Sequence, residues 1–341
     1  MARMPSRPLT RRTGLLAAGV GALALAGCGA GGTGESAGPR TLTLAHNLGD
    51  THPTSAALEE FAALVAERTE ERISIEILSG GVLGGETEVL EQMRKGILDM
   101  TRVASPGLAQ YTPAYHAFGL PFVFEDEEHF VAAMDSAPMR EIFGASREDG
   151  YLGLTYYTSG ARSFYTVDTP IRTVEDLAGR KIRIQDFASQ TDMMRALGAS
   201  PVVMDLGDVY TALQTGMVDG AESNETVLTD SAHGEVAKVF SATEHTMIPD
   251  MLVIGTLTWD SLDAQDRTVL QEAARESTEN HKQLWAETVT AAIADSEAMG
   301  VQFVEDVDRD AFREATAPLI EDHLDRYPQV QDVLDVIDQA R

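Results

Sequence analysis

The sequence predicts an α/β protein of two lobes, each a mainly parallel sheet flanked by helices, with one long helix bridging them. Three observations carry this. Strand-like and helix-like periodicities alternate in two separate runs. A short stretch starting at Val89 (VLEQMRKGILDM) recurs in outline at Val209 (VYTALQTGMVDG). Residues 264–299 contain neither Pro nor Gly.

The first run opens with residues 41–46 (TLTLAH), which alternate as a half-buried strand does. Residues 55–70 place Leu58, Phe61, Ala62, Val65 and Ala66 at helical spacing. A strand follows at 73–78, a helix at 86–95, and a strand at 100–103. Gly96 suits the left-handed position just past a helix end. This β-α-β-α-β order implies parallel pairing. The second run repeats it: strand 181–185, helix 189–197, strand 201–204, helix 208–215 closed by Gly216, and strand 218–222. Both copies of the recurring stretch set a Gly seven residues after a Val and an Asp three further on. Asp263 can cap the long helix and Gly300 can end it. At 1.5 Å per residue that helix would run about 54 Å, longer than one lobe is wide. A strand at 301–305 and helices around 311–327 and 330–339 complete the chain.

The chain has 341 residues, 43% of them hydrophobic, which is enough for a buried core. Acids outnumber bases 54 to 26, a net charge of −28, which argues against nucleic acid and anionic membrane surfaces as main partners. One cysteine excludes a disulfide framework and a multi-cysteine metal site.

Residues 1–27 read as an export signal. Arg3, Arg7, Arg11 and Arg12 precede a short apolar run, 14–26, too short to span a bilayer. Leu25-Ala26-Gly27-Cys28 resembles a bacterial lipobox, which implies cleavage before Cys28 and lipid on it. Thr10-Arg11-Arg12 resembles the start of a twin-arginine signal, with Gly14 where that motif prefers an aromatic residue, so the export route stays open. Removal of residues 1–27 takes four arginines and leaves 22 bases against 54 acids, a net of −32. Residues 28–40 are rich in Gly, Ser and Ala and read as a flexible tether.

Catalytic signatures are rejected in turn. Gly29–Gly34 fits G-x-G-x-x-G and Gly34–Gly38 fits G-x-S-x-G around Ser36, but neither has the strand before and the helix after that the chemistry needs. There is no P-loop and no H-E-x-x-H. His46, Asp50 and His52 do not have the spacing of a standard metal site. Acidic pairs are too common here for any one to mark a glycosidase. The sequence calls for no cofactor and no catalytic residue, and a secreted hydrolase would need a base and nucleophile that it does not show.

Several blocks resemble one family. They are THPTSAALEEFA after Asp50, VLGGETEVLEQMRKGILDM from Val82, FGLPFVFEDEEHF from Phe118, YYTSGARSFYT from Tyr156, TVEDLAGRKIRIQ from Thr173, and LGASPVVMDLGDVYTALQTGMVDGAESN from Leu197. Together they resemble the solute-binding proteins of tripartite ATP-independent periplasmic (TRAP) transporters, the DctP type. MTRVAS, SGARSFYT and DGAESN resemble the subgroup that takes sugar acids such as glucuronate and galacturonate. The resemblance implies a periplasmic-binding-protein-like fold, with lobe I from 41–160 plus 249–288 and lobe II from 161–248 plus 289–341. It implies a receptor, not an enzyme, that traps a small organic acid by lobe closure. That acid would be a hexuronate or, as the alternative, a C4-dicarboxylate or other carboxylate. The receptor would hand it to a small and a large membrane subunit.

A chain this acidic repels a carboxylate at long range, so binding must rest on a few local cations. Arginine suits the task, because its planar fork meets a carboxylate at two points. Arg102, Arg162 and Arg183 lie at strand starts or ends. By the resemblance, Arg183 in Lys181-Ile182-Arg183-Ile184 clamps the carboxylate and Arg162 assists. The same source implies substrate contacts for Asn47 and His52 on the first strand-to-helix loop, and for Glu86 at a helix start. Glu222, Ser223 and Asn224 at a strand end, and Tyr210, complete the set. Three positions depart from the family pattern: Ser223 for Asn, Leu206 for an aromatic residue, and Asp186 for a neutral one.

Overall fold

The computed structural model describes residues 39–341; the export signal, Cys28, most of the tether and the two rejected glycine motifs lie outside the described residues. The chain starts with β1 (Arg40–Ala45), α1 (Pro53–Arg68), β2 (Ile73–Leu78), α2 (Glu86–Arg94) and β3 (Met100–Ala104). Two short helical turns, α3 (Glu127–Met134) and α4 (Ala137–Ala145) lead to β4 (Tyr151–Tyr157). The second run is β5 (Ala161–Thr166), β6 (Lys181–Ile184), α5 (Ala188–Ala196), β7 (Ser200–Val203), α6 (Leu206–Thr215) and β8 (Gly220–Ser223). After α7 (Val227–Asp230) come β9 (Val239–Met247) and β10 (Asp250–Gly255). Then follow α8 (Thr256–Ser261), α9 (Ala264–Ala298), β11 (Gln302–Val304), α10 (Arg309–Thr316), α11 (Pro318–Arg326) and α12 (Val330–Gln339).

Two sheets result, ordered β2-β1-β3-β10-β4 and β11-β9-β5-β8-β6-β7. The parallel cores β2-β1-β3 and β7-β6-β8 have the same order, and in each the middle strand comes first in sequence. The recurring stretch maps onto matching places. It is α2 then β3 in one sheet and α6 then β8 in the other, with Gly96 and Gly216 both at positive φ past the helix end.

Five of the nine strand pairings are parallel, in line with the expectation of mainly parallel sheets. Each sheet also has an antiparallel part, β3-β10-β4 in the first and β8-β5-β9 in the second. The reason is connectivity. β4 runs on into β5, and β9 into β10, so two extended segments pass directly from one sheet to the other. They pair with each other on both sides, Tyr157 opposite Asp250 and Ala161 opposite Met247. β10 is buried at every position, so it lacks the alternation that marks a half-exposed strand.

Apolar side chains from α1, β1, β10 and the first half of α9 form one core, including Leu42, Phe61, Leu252 and Leu270. α9 packs on α1 and β4 at one end and on α7, next to the second sheet, at the other. Trp285 of α9 lies against the β4–β5 crossing: a Cβ on Gly160, which has φ +64°, would come 3.2 Å from the indole Nε1. The helical stretch 311–327 is split where Pro318 starts α11, since proline lacks the donor an unbroken helix needs. α12, grouped by the sequence with the second lobe, instead buries Val330, Val333 and Ile337 in the first sheet's core beside Phe130 and Tyr151. His129 Nε2 also lies 2.8 Å from the Ile337 carbonyl.

Asp263 caps α9 as expected, its carboxylate accepting from the Asp266 backbone N–H at 2.8 Å. Asp263→Ala is expected to lower stability by about 1 kcal/mol. Calorimetric melting checks this, with ligand affinity unchanged.

Candidate functional site

The parallel strands of both sheets end toward one cavity of about 510 Å³. Ligand crevices in open α/β sheets form at such carboxyl ends. Asn47, Gly49 and His52 reach it from the β1–α1 loop, and Glu86 from the start of α2. Pro106 and Gly107 follow β3. Gln185, Asp186 and Phe187 follow β6, Asp205 and Leu206 follow β7, Ser223 ends β8 and Asn224 follows it. Ser159 and Ile248 line it from the two crossings. Phe187 packs with Ala104 and Ile248 and lies over Gly107, where a Cβ would come 3.4 Å from its ring.

All three expected arginines line this cavity and are buried, Arg102 and Arg162 at 6% exposure and Arg183 at 4%. Their partners differ. Arg102 Nη1 donates to Glu86 at 2.9 Å and to Asn47 at 3.2 Å, and its Nη2 pairs with Asp250. Arg162 meets Glu222 at two points, Nε at 2.6 Å and Nη2 at 2.8 Å. Arg183 donates only to a backbone carbonyl, that of Met204, from Nε at 3.0 Å and Nη2 at 2.8 Å. Among the described residues it has no carboxylate partner. β6 aims it: Ile182 and Ile184 point into the core, so Arg183 between them faces the other way.

Burial alone would lower all three guanidiniums. The adjoining carboxylates reverse this at Arg102 and Arg162, which are raised. At Arg183 burial prevails, against the pull of Tyr165 and Glu222, and the group is lowered. Arginine remains charged at neutral pH despite such a shift. Glu222 responds in kind. Burial works to raise its carboxyl, but Arg162 and the neighbouring His245 outweigh it and bring it to about 2.

Two expected residues fall elsewhere. Glu222 is fully buried behind Arg162, held also by Gln190 Nε2 at 3.1 Å, and does not line the cavity. It orients Arg162. Tyr210 sits on α6 away from the cavity and donates to Glu235 at 2.9 Å. Asn224 lines the cavity, but its amide is engaged: Nδ2 donates to the Ser159 carbonyl, and Oδ1 accepts from Thr226. Asp250 was not foreseen. It precedes a buried apolar run and meets Arg102 only through long-range pairing of β10 with β3. His46 and His52 each accept at Nδ1 from a backbone N–H, those of Leu48 and Thr54.

This cavity, set between two α/β sheets joined by direct strand crossings and lined by buried arginines, is that of a solute-binding protein. The chain belongs to the DctP family, bacterial extracellular solute-binding protein family 7, whose model matches residues 44–326. It is similar to a TRAP periplasmic solute-binding protein from Anaerococcus prevotii solved with bound D-glucuronate (33% identity, TM-score 0.85, 88% of this chain and 97% of that one). It is also similar to one from Bradyrhizobium sp. BTAi1 in complex with D-galacturonate (35%, TM-score 0.84, 88% and 100%). A relative in Escherichia coli, the 2,3-diketo-L-gulonate-binding periplasmic protein YiaO, is 27% identical over 321 residues, 94% of this chain and 98% of its own. Family and neighbours are substrate-binding receptors. Among the described residues, no helix is long and apolar enough to cross a membrane.

Several buried histidines are held neutral. Burial first, then a nearby cationic or imidazole group, lowers His46, His116, His233 and His281 to about 4. The folded chain therefore binds fewer protons than the unfolded chain between pH 4 and 6.5, so this stability is present above 6.5 and is lost as pH falls toward 4. Glu225, raised to about 7 by burial, and Asp230, raised to about 6, work the other way but are fewer. The melting temperature is expected to fall steadily from pH 6.5 to 4; a flat or rising profile would contradict the buried neutral imidazoles.

Proposed function

We propose that this protein is the exported receptor of a TRAP transporter for a hexuronate such as glucuronate or galacturonate, and that it is not an enzyme. The observation that carries this is Arg183, a buried guanidinium facing the cavity with no carboxylate partner among the described residues. A ligand carboxylate completes it, accepting from a fork that Met204 already holds in place. Arg162, fixed by Glu222, stands ready as a second donor. Asn47, His52, Glu86, Ser223 and the Arg102 group offer donors and acceptors for sugar hydroxyls. The neighbours with bound glucuronate and galacturonate support the choice of acid.

In this reading the two crossings act as the hinge about which the lobes close, lobe I built on the first sheet with α12 packed in its core and lobe II built on the second sheet. The loaded receptor then passes its acid to a small and a large membrane subunit. Residues 1–27 direct export, and lipid on Cys28 holds the receptor at the outer face of the membrane through the tether.

Arg183→Ala is expected to remove roughly 3–5 kcal/mol of binding, the range for breaking a desolvated charge pair. That is about two to three and a half decades in Kd for D-galacturonate by titration calorimetry. Unchanged affinity would discard the clamp. Cys28→Ala, expressed in a lipoprotein-processing host, is expected to move the receptor from the detergent to the aqueous phase on Triton X-114 partition.

A further inference from the structure

The charges lining the cavity do not cancel as a set. Glu86 and Asp250 match Arg102, and Glu222 matches Arg162, which leaves Arg183 as the one arginine of the three without a carboxylate among the described residues. Three further acids line the same cavity: Asp186 after β6, Asp205 before α6 and Asp230 at the end of α7. Among the described residues none of the three forms an ion pair, and Asp230 Oδ2 is buried without a hydrogen-bond partner. Asp205 stands at the lip, where a Cβ on Gly85 across the cleft would come 2.9 Å from its Oδ1.

We infer that this cavity selects for a single negative charge, accepting sugar acids with one carboxylate and rejecting sugar diacids of the same carbon chain. The inference rests on the hexuronate reading. One anionic end is met by Arg183. A second anionic end would find the remaining cations already paired and three unpaired carboxylates nearby. Asp186 and Asp205 are exposed and partly screened by solvent, so the three together weaken binding of a second anionic end by roughly two orders of magnitude. The hydroxyl-bearing end of a uronate has the opposite character. Its O–H groups are donors, and the unpaired carboxylates that line the cavity are the acceptors they need.

The test is titration calorimetry at pH 7.5 with D-galacturonate and with galactarate, the diacid that carries a second carboxylate on the same skeleton. Wild type is expected to bind galactarate about a hundredfold more weakly or worse. A triple variant, Asp186→Asn, Asp205→Asn and Asp230→Asn, is expected to narrow that gap at least tenfold. The single variant Asp205→Asn, at an exposed position, gives the same readout if the triple variant fails to fold. Wild-type affinities within tenfold of each other would overturn the charge rule and leave the hexuronate reading standing. So would a gap unchanged in a variant that still binds galacturonate. Galactarate binding without galacturonate overturns both. If neither sugar acid binds, the hexuronate reading fails and the charge rule is read on succinate against its monomethyl ester, where tighter binding of the dianion overturns it.

Discussion

A guanidinium withdrawn from water without a carboxylate beside it is a costly thing for a fold to hold, and Arg183 is one. The protein stabilises it with a single carbonyl, that of Met204, and surrounds it with two other arginines whose charges are cancelled locally. Breaking up a buried ion pair is strongly unfavourable, so Arg102 and Arg162 stay with Glu86, Asp250 and Glu222. The attraction for an anion is thereby concentrated at one point in an otherwise very acidic molecule. Long-range repulsion from a net charge of −28 is screened within about 10 Å at physiological salt, whereas this short-range contact is not.

The architecture makes that point reachable. Two parallel cores with the same strand order each aim their carboxyl ends at the cavity, and the loops leaving those ends supply most of its polar lining. The helices that follow are held in place by features of the kind seen at Gly96 and Gly216, which let the chain turn back into the next strand. The repeated order accounts for the match between the stretches at Val89 and Val209 better than shared turn chemistry does, because the elements before and after them correspond as well.

The parallel cores were legible in the sequence because alternation and helical spacing are local signals, and β2 and α12 fall on their expected residues. The crossing strands were not. β10 is apolar on both faces, and β4 and β5 are joined by only Thr158, Ser159 and Gly160. The arginines were found from strand position and resemblance, but what separates them, the carboxylates at 86, 222 and 250, is set by long-range pairing. Glu222 shows the limit well. It ends a strand that faces the cavity, yet it points back to Arg162, and a count of positions along β8 does not reveal that. Tyr210 was misplaced because its helix contributes its first residue to the cavity and turns its later ones elsewhere.

The direct passage of two strands between the sheets has a consequence for how the molecule comes apart. β4 and β10 belong to one sheet, β5 and β9 to the other, yet each pair shares a continuous, hydrogen-bonded ribbon. Neither lobe is therefore an unbroken length of chain, and cutting at either crossing strips a strand from its neighbours. Proteolytic fragments of one half would carry raw sheet edges and a sundered core.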